Sequence, residues 1–335
     1  IGSAVDQRLM RELRVNADVV LNGAETLRKS GASPRLGGIE THVDDLVHQQ
    51  RARGIDAHVL TPTAAEGPSP DWVHRLPAAR ARALVTDFDV LHVHLSMLSV
   101  YGISLTRAAT SAGVPVLITV HSMWTGAGGL LRLAALAGVR RWPVAWSAVS
   151  RAAAEVFQHS LGGVEVAVLP NALDVTAWRP RGAADLPPAA PRGQAAPRGQ
   201  STSADAVTVV SVMRLMPRKR PIQLVRLFDR ACRLVPDADL RLVLVGDGPL
   251  RARVERAISR RRLGDRVRIT GRIPRAQVSD ELSAADLYVA PAPKESFGIA
   301  ALEARCAGLP IVAHRRSGVR EFVRYPDPIS PAAAA

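Results

Sequence analysis

Short runs of Val, Ile and Leu alternate along the chain with helix-length segments, and no other feature narrows the possible folds as far. Five runs occupy the first half: DAHVLTP (56–62), FDVLHVH (88–94), VPVLITVH (114–121), AWSAVS (145–150) and VEVAVLPN (164–171). Five more follow: AVTVVSVMR (206–214), LRLVLVGDG (240–248), RVRITGRI (266–273), ADLYVAP (285–291) and LPIVAHR (309–315). Near-continuous apolar strands need cover on both faces, which is the environment of a parallel sheet. Segments 40–53, 98–113, 151–161, 219–235, 249–262, 275–284 and 298–307 have the length to be the crossover helices that parallel strands require. The expected class is α/β, with two Rossmann-like domains facing across a cleft. The two series are parted by 179–206, rich in Pro, Gly, Ala and Ser and carrying the near-repeat APRGQ-AAPRGQ, which reads as a flexible linker or insertion. The expected divisions are an atypical segment 1–36, domains at 37–178 and 207–323, and a disordered tail at 324–335.

The chain's 335 residues are more than one ordinary core holds and suit two domains. The formal net charge is +14, carried by 41 arginines and only three lysines, Lys29, Lys219 and Lys294. A basic surface attracts nucleic acid, anionic lipid or phosphorylated ligands. No nucleic-acid-binding signature accompanies it and aromatics are 4%, so the charge reads as an Arg/Ala bias and no nucleic-acid partner is expected. No apolar run reaches the length of a membrane span, and the first residues lack a secretion signal. With two distant cysteines, Cys232 and Cys306, the expected setting is the reducing cytoplasm.

Four motifs carry chemistry. In PKESFGIAALEARCAGLPIV (293–312), Glu295 and Glu303 are separated by seven residues, and Phe297, Gly298 and Ile299 stand at a helix start. Carboxylates accept from sugar hydroxyls, a helix N-terminus suits a diphosphate, and a glycine lets the backbone approach it. SVMRLMPRKRP (211–221) follows a strand and carries two cations, Arg214 and Lys219, with four residues between them. RLGGIETHV (35–43) brings Gly37 and Gly38 to a helix start. ITVHSMW (118–124) puts His121 at a strand's carboxyl end, while His92 and His94 alternate on one strand face, where a structural or cleft-lining role is favoured over metal binding. LVGDGP (244–249) has Gly246 and Gly248 but no third glycine of a dinucleotide fingerprint. DFD (87–89) precedes a strand and is read as an accidental likeness to a metal-binding Asp-x-Asp.

Together and in this order the motifs resemble the GT-B glycosyltransferases of the large retaining family 4, over about residues 37–323. VLPNALD (168–174) and TGRIP (270–274) are similar to further family motifs. The resemblance implies a first, acceptor-binding domain and a second, donor-binding domain. It implies that Glu295 and His121 contact the donor sugar, Glu303 the ribose, and Arg214 and Lys219 the diphosphate. Gly37, Gly38, Phe297, Gly298 and Ile299 would approach the donor, and Arg272 and Ile273 the nucleotide base. The implied reaction moves a hexose-type sugar from a UDP- or GDP-sugar to a small-molecule, lipid or glycan acceptor. The nucleotide-sugar is a co-substrate, so no cofactor is expected, nor a metal; a membrane-lipid acceptor would place the chain at the membrane's inner face. Two departures leave other readings open. Residues 1–36 resemble a fragment of a riboflavin-biosynthesis reductase, whose ADVVLNG (17–23) could supply the missing first strand. After SGVREFV the family's crossing helix is absent, and Ser317 stands where Gly is usual, so the second domain reads as truncated and an inactive, nucleotide-binding relative remains an alternative.

Overall fold

The computed structural model describes residues 19–22, 38–64, 68–95, 99–123, 138–178 and 206–323. They divide into two compact units, residues 1–173 with Glu295–Phe297, and residues 174–294 with 298–335. Gly37 and the linker, tail and reductase-like assignments outside Val19–Asn22 lie outside the described residues.

The first unit is built on a seven-stranded parallel sheet. Its strands are β1 (Val19–Asn22), β2 (His58–Thr61), β3 (Val73–Arg75), β4 (Val90–Leu95), β5 (Val116–Val120), β6 (Ala145–Ala148) and β7 (Ala167–Val168). The spatial order is β3-β2-β1-β4-β5-β6-β7. β1 pairs with β2 on one side and β4 on the other, so the order reverses beside it. Every residue of β4 and β5 is buried, as continuous apolar runs require. Helices α1 (Gly38–Arg51), α2 (Ala78–Leu84), α3 (Val100–Ser111) and α4 (Arg151–Ser160) connect the strands. Ser99 and Ser150 cap α3 and α4: each hydroxyl accepts from the amide three residues on, Gly102 at 2.9 Å and Ala153 at 3.0 Å, worth about 1 kcal/mol apiece. Leu91, Leu105, Ile118, Phe157 and Leu161 form one core, and Val43, Val47 and Val59 seat α1 against β2. Each fully buried side chain of this size contributes about 2 kcal/mol.

The second unit holds a five-stranded parallel sheet of β8 (Ala206–Val212), β9 (Asp239–Val245), β10 (Val267–Gly271), β11 (Leu287–Ala290) and β12 (Ile311–Ala313). Its order is β10-β9-β8-β11-β12. The reversal falls between β8 and β11, and the carboxyl ends of those strands are where an open α/β sheet takes its ligand. Helices α5 (Pro221–Leu234), α6 (Arg251–Arg260), α7 (Arg275–Ser283) and α8 (Ile299–Cys306) make the crossovers. The α5/α6 layer closes over β8 to β10 through Leu224, Phe228, Val254 and Ile258. Among the described residues no helix is long and apolar enough to cross a membrane.

Among the described residues, seven of the eight α-helices match expected segments to within a few residues. The exception is α2, whose AARARAL has no apolar stripe to announce it. The expected strand at 164–171 shortens to Ala167–Val168, because only those residues pair with β6. Three-residue β3 at the sheet edge was not expected at all.

Candidate active site

In the first unit, His121 stands immediately after β5, its amide donating to the Leu95 carbonyl at 2.8 Å. That bond ties the residue to the end of β4. Around it the fold gathers other imidazoles: His42 from α1, and His92 and His94 from β4, all buried. Ring centroids are 5.6 Å from His42 to His121, 5.1 Å from His94 to His121 and 4.1 Å from His92 to His94. His94 Nδ1 lies 2.9 Å from His121 Nε2. Among the described residues no group of three or more His, Cys, Asp or Glu side chains has the arrangement of a metal site.

A hydrogen-bonded chain runs behind this cluster. Ser147 Oγ lies 2.7 Å from Thr119 Oγ and 3.3 Å from the Ile118 carbonyl. Thr119 Oγ in turn is hydrogen-bonded to His92 Nε2 at 2.7 Å.

Burial, then the adjacent His42 and His92, hold the His121 pKa well below its ordinary 6.5. The imidazole is neutral at physiological pH, suited to hydrogen-bonding an uncharged hydroxyl. Above pH 6.5 the folded and unfolded chains both carry it neutral. Below, the unfolded chain takes up a proton that the folded one refuses, so stability falls as pH drops toward the depressed folded value. Urea melts at pH 7.5, 6.5 and 5.5 should show a loss approaching about 1.4 kcal/mol per pH unit below 6.5 from this residue. The slope should flatten in His121→Asn; an equal slope in both proteins would contradict the assignment.

Glu295–Phe297 belong to the same unit as His121. Ser296 Oγ donates to the His121 backbone carbonyl at 2.5 Å, and Phe297 is buried while Glu295 is half-buried. The structure thus brings Glu295 and Phe297 into the neighbourhood of His121. Gly38 opens α1, the helix that carries His42.

In the second unit the carboxyl ends of three strands are laced together by backbone. Met213 N donates to Val245 O, Leu215 N to Asp247 O and Leu250 N to Leu215 O, each at 2.9 Å. Gly246 N donates to Gly271 O at 2.9 Å, joining the ends of β9 and β10. Two glycines make this closeness possible. A Cβ on Gly246 would stand 2.1 Å from Met213 O, and one on Gly248 2.5 Å from Leu215 O. The loop after β8 is thereby held from behind while Arg214 stays exposed and Lys219 half-buried on its other side. Lys219 closes a 3-10 turn, Pro217–Lys219, and Arg220 follows at φ 56, an uncommon setting for a side-chain-bearing residue. Buried Ser211 donates to Val289 O at 2.5 Å and Tyr288 OH to Val212 O at 3.3 Å, fastening β8 to β11 at the order reversal.

After β11 the chain reaches Gly298, which precedes α8 at φ 86, a left-handed setting that favours glycine. Ile299 is the first residue of α8, so its amide is among those without a partner within the helix. Glu303 lies one turn further on and is buried. Arg272 and Ile273 follow Gly271 at the end of β10, exposed and half-buried respectively. The second unit therefore carries Arg214, Lys219, Arg272, Ile273, Gly298, Ile299 and Glu303 on segments that leave the carboxyl ends of β8, β10 and β11. Sequence reasoning passed over His42 and Ser296. The position of His42 five residues after Gly37 was a usable signal; a serine beside a glutamate offered none.

Known proteins share this fold. The structure of the starch synthase IV catalytic domain from Arabidopsis thaliana, solved with ADP and acarbose, superposes with a TM-score of 0.63 at 14% identity, covering 94% of this chain and 86% of that one. The fold is that of the GT-B glycosyltransferases. Residues 36–177 match the model for Glycosyltransferase Family 4, and residues 195–325 the model for Glycosyl transferases group 1. The two matches, one after the other along the chain, mark it as a glycosyltransferase. A phosphatidylinositol N-acetylglucosaminyltransferase subunit of Arabidopsis thaliana is 32% identical over 168 residues, covering 50% of this chain and 33% of that protein. A GDP-mannose-dependent alpha-(1-6)-phosphatidylinositol dimannoside mannosyltransferase of Mycobacterium tuberculosis is 44% identical over 86 residues, covering 25% of this chain and 22% of that protein. The chain thus spans about a third or less of the length of these curated relatives in the matched regions. The family match begins at residue 36 and lends no support to a reductase likeness for residues 1–36.

Proposed function

We propose that the chain transfers a sugar, with retention of anomeric configuration, from a nucleotide-diphosphate sugar to a phosphatidylinositol-type lipid. One observation carries the reading: a loop bearing Arg214 and Lys219 is pinned by two close-packed glycines at the point where the second sheet reverses its strand order. As the bond from the anomeric carbon to the diphosphate oxygen breaks, its electron pair stays with the diphosphate. Arg214, Lys219 and the amides at the start of α8 stabilise that growing charge. Glu303 accepts from the ribose hydroxyls, Glu295 and His121 hold the sugar, and Arg272 and Ile273 meet the base. The anomeric centre becomes oxocarbenium-like, and the acceptor hydroxyl adds to the face the diphosphate leaves, passing its proton to the departing diphosphate oxygen. Catalysis is positioning and electrostatics.

The acceptor class is supported by the two relatives, whose names specify phosphatidylinositol and a phosphatidylinositol dimannoside. The test offers UDP-N-acetylglucosamine or GDP-mannose to the purified protein with phosphatidylinositol in mixed micelles. A glycolipid product with the donor's anomeric configuration by NMR is expected. Thermal stabilisation by the nucleotide-sugar without any product would instead mark an inactive nucleotide-binding relative.

A further inference from the structure

We propose that His94 is a positioning residue for His121: its Nδ1, 2.9 Å from His121 Nε2, accepts the His121 Nε2–H and so leaves His121 Nδ1 as the lone pair that a sugar hydroxyl meets. The proposal rests on the reading of the chain as a nucleotide-sugar glycosyltransferase. Two neutral imidazoles in hydrogen-bond contact cannot both present a proton or both a lone pair, so the state of one ring dictates the facing edge of the other. With His121 donating, its own ring takes the Nε2–H form that an isolated neutral imidazole side chain favours.

The surroundings hold this pair rigidly. His94 is fully buried on β4, with His92 packed beside it at 4.1 Å between ring centroids. Its strand is paired on both sides, and His94 itself lies in register with Thr119 of β5. His121 is joined to the residue next to His94 through the Leu95 carbonyl. A partner fixed on a buried strand positions a site side chain better than one on a loop. The Thr119–Ser147 hydrogen bonds tie neighbouring His92 to β5 and β6 from behind.

The test combines nitrogen NMR of ligand-free protein with two substitutions. In the wild type, His121 should show a protonated Nε2 and a bare Nδ1. His94→Leu removes the acceptor and should mix the two forms. His94→Asn offers an amide oxygen near the former Nδ1 and should restore the Nε2–H form. With a transferable donor, His94→Leu should lower kcat about 10- to 100-fold while donor KM changes little, and His94→Asn should recover most of the loss. A wild-type His121 protonated at Nδ1 overturns the proposal, as does equal loss in both variants, which would mean packing alone. The tautomer is read without substrate, so a protein that proves to have no transferase activity fails the functional reading and leaves this one to be decided by the spectrum.

Discussion

Replacing Arg214 and Lys219 together by alanine is expected to lower kcat/KM by about a thousandfold or more and to leave the fold intact. The size follows from where charge appears in the reaction. A leaving diphosphate gains negative charge in the transition state, and fixed donors aimed at such charge are worth about 10²–10³ each when removed singly. Two cations on one group act as a unit, so the double change need not equal the product of the single ones. Stability should hardly move, because Arg214 is exposed, Lys219 is half-buried and neither belongs to the apolar core; surface changes of this kind fall within about 0.5 kcal/mol. Arg214→Lys should fall between, keeping the charge while losing the two-pronged guanidinium. Initial rates against donor concentration, with urea midpoints for each protein, decide the matter. Wild-type turnover in the double variant would refute the clamp.

The legibility of this chain was uneven for physical reasons. Strands rich in Val, Ile and Leu declare themselves, above all β4 and β5, every residue of which is buried. So do long amphipathic helices such as α5, with Leu224, Val225 and Phe228 inward. Short edge pieces do not, because β3 has three residues and gains its strand character from pairing with β2. Charged residues of the candidate site were readable because they stand in motifs at strand ends, where topology puts ligands. What spacing could not reveal was long-range company. His42 is 79 positions from His121 in sequence, yet their rings lie 5.6 Å apart because α1 packs across the strand ends. His92 and His94 were placed on one strand face from alternation, but their hydrogen-bond partners, Thr119 and His121, arrive only when β5 lies beside β4. Gly246 and Gly248 were noticed as remnants of a dinucleotide pattern; their packing against Met213 and Leu215 gives them another role.

That role predicts the largest effect on stability. Gly246→Ala should destabilise the protein by about 3 kcal/mol or more. The added Cβ would fall 2.1 Å from Met213 O and 3.0 Å from Met213 C, and the backbone there has φ 129. No rotamer relieves such a clash, because the obstacle is a peptide carbonyl rather than the tip of a side chain. Nor can the carbonyl swing away freely, since Met213 N is bonded to Val245 O and Gly246 N to Gly271 O. Relief requires the ends of β8 and β9 to part. Gly308→Ala separates this from the general penalty of a left-handed backbone: φ is 84 there with no atom within 4 Å of the added carbon, and the expected loss is only about 1–2 kcal/mol. The two variants should also differ in function. The strand end displaced by Gly246→Ala carries Arg214 as its next residue, and a shift near 1 Å at a positioned group costs about a hundredfold in rate. Folded Gly246→Ala molecules should therefore be slow even at temperatures well below their melting point, whereas folded Gly308→Ala molecules should turn over like wild type. Equal stability of the two variants in urea would mean that the strand ends yield easily, and the rigid support assigned to the Arg214 loop would be lost with it.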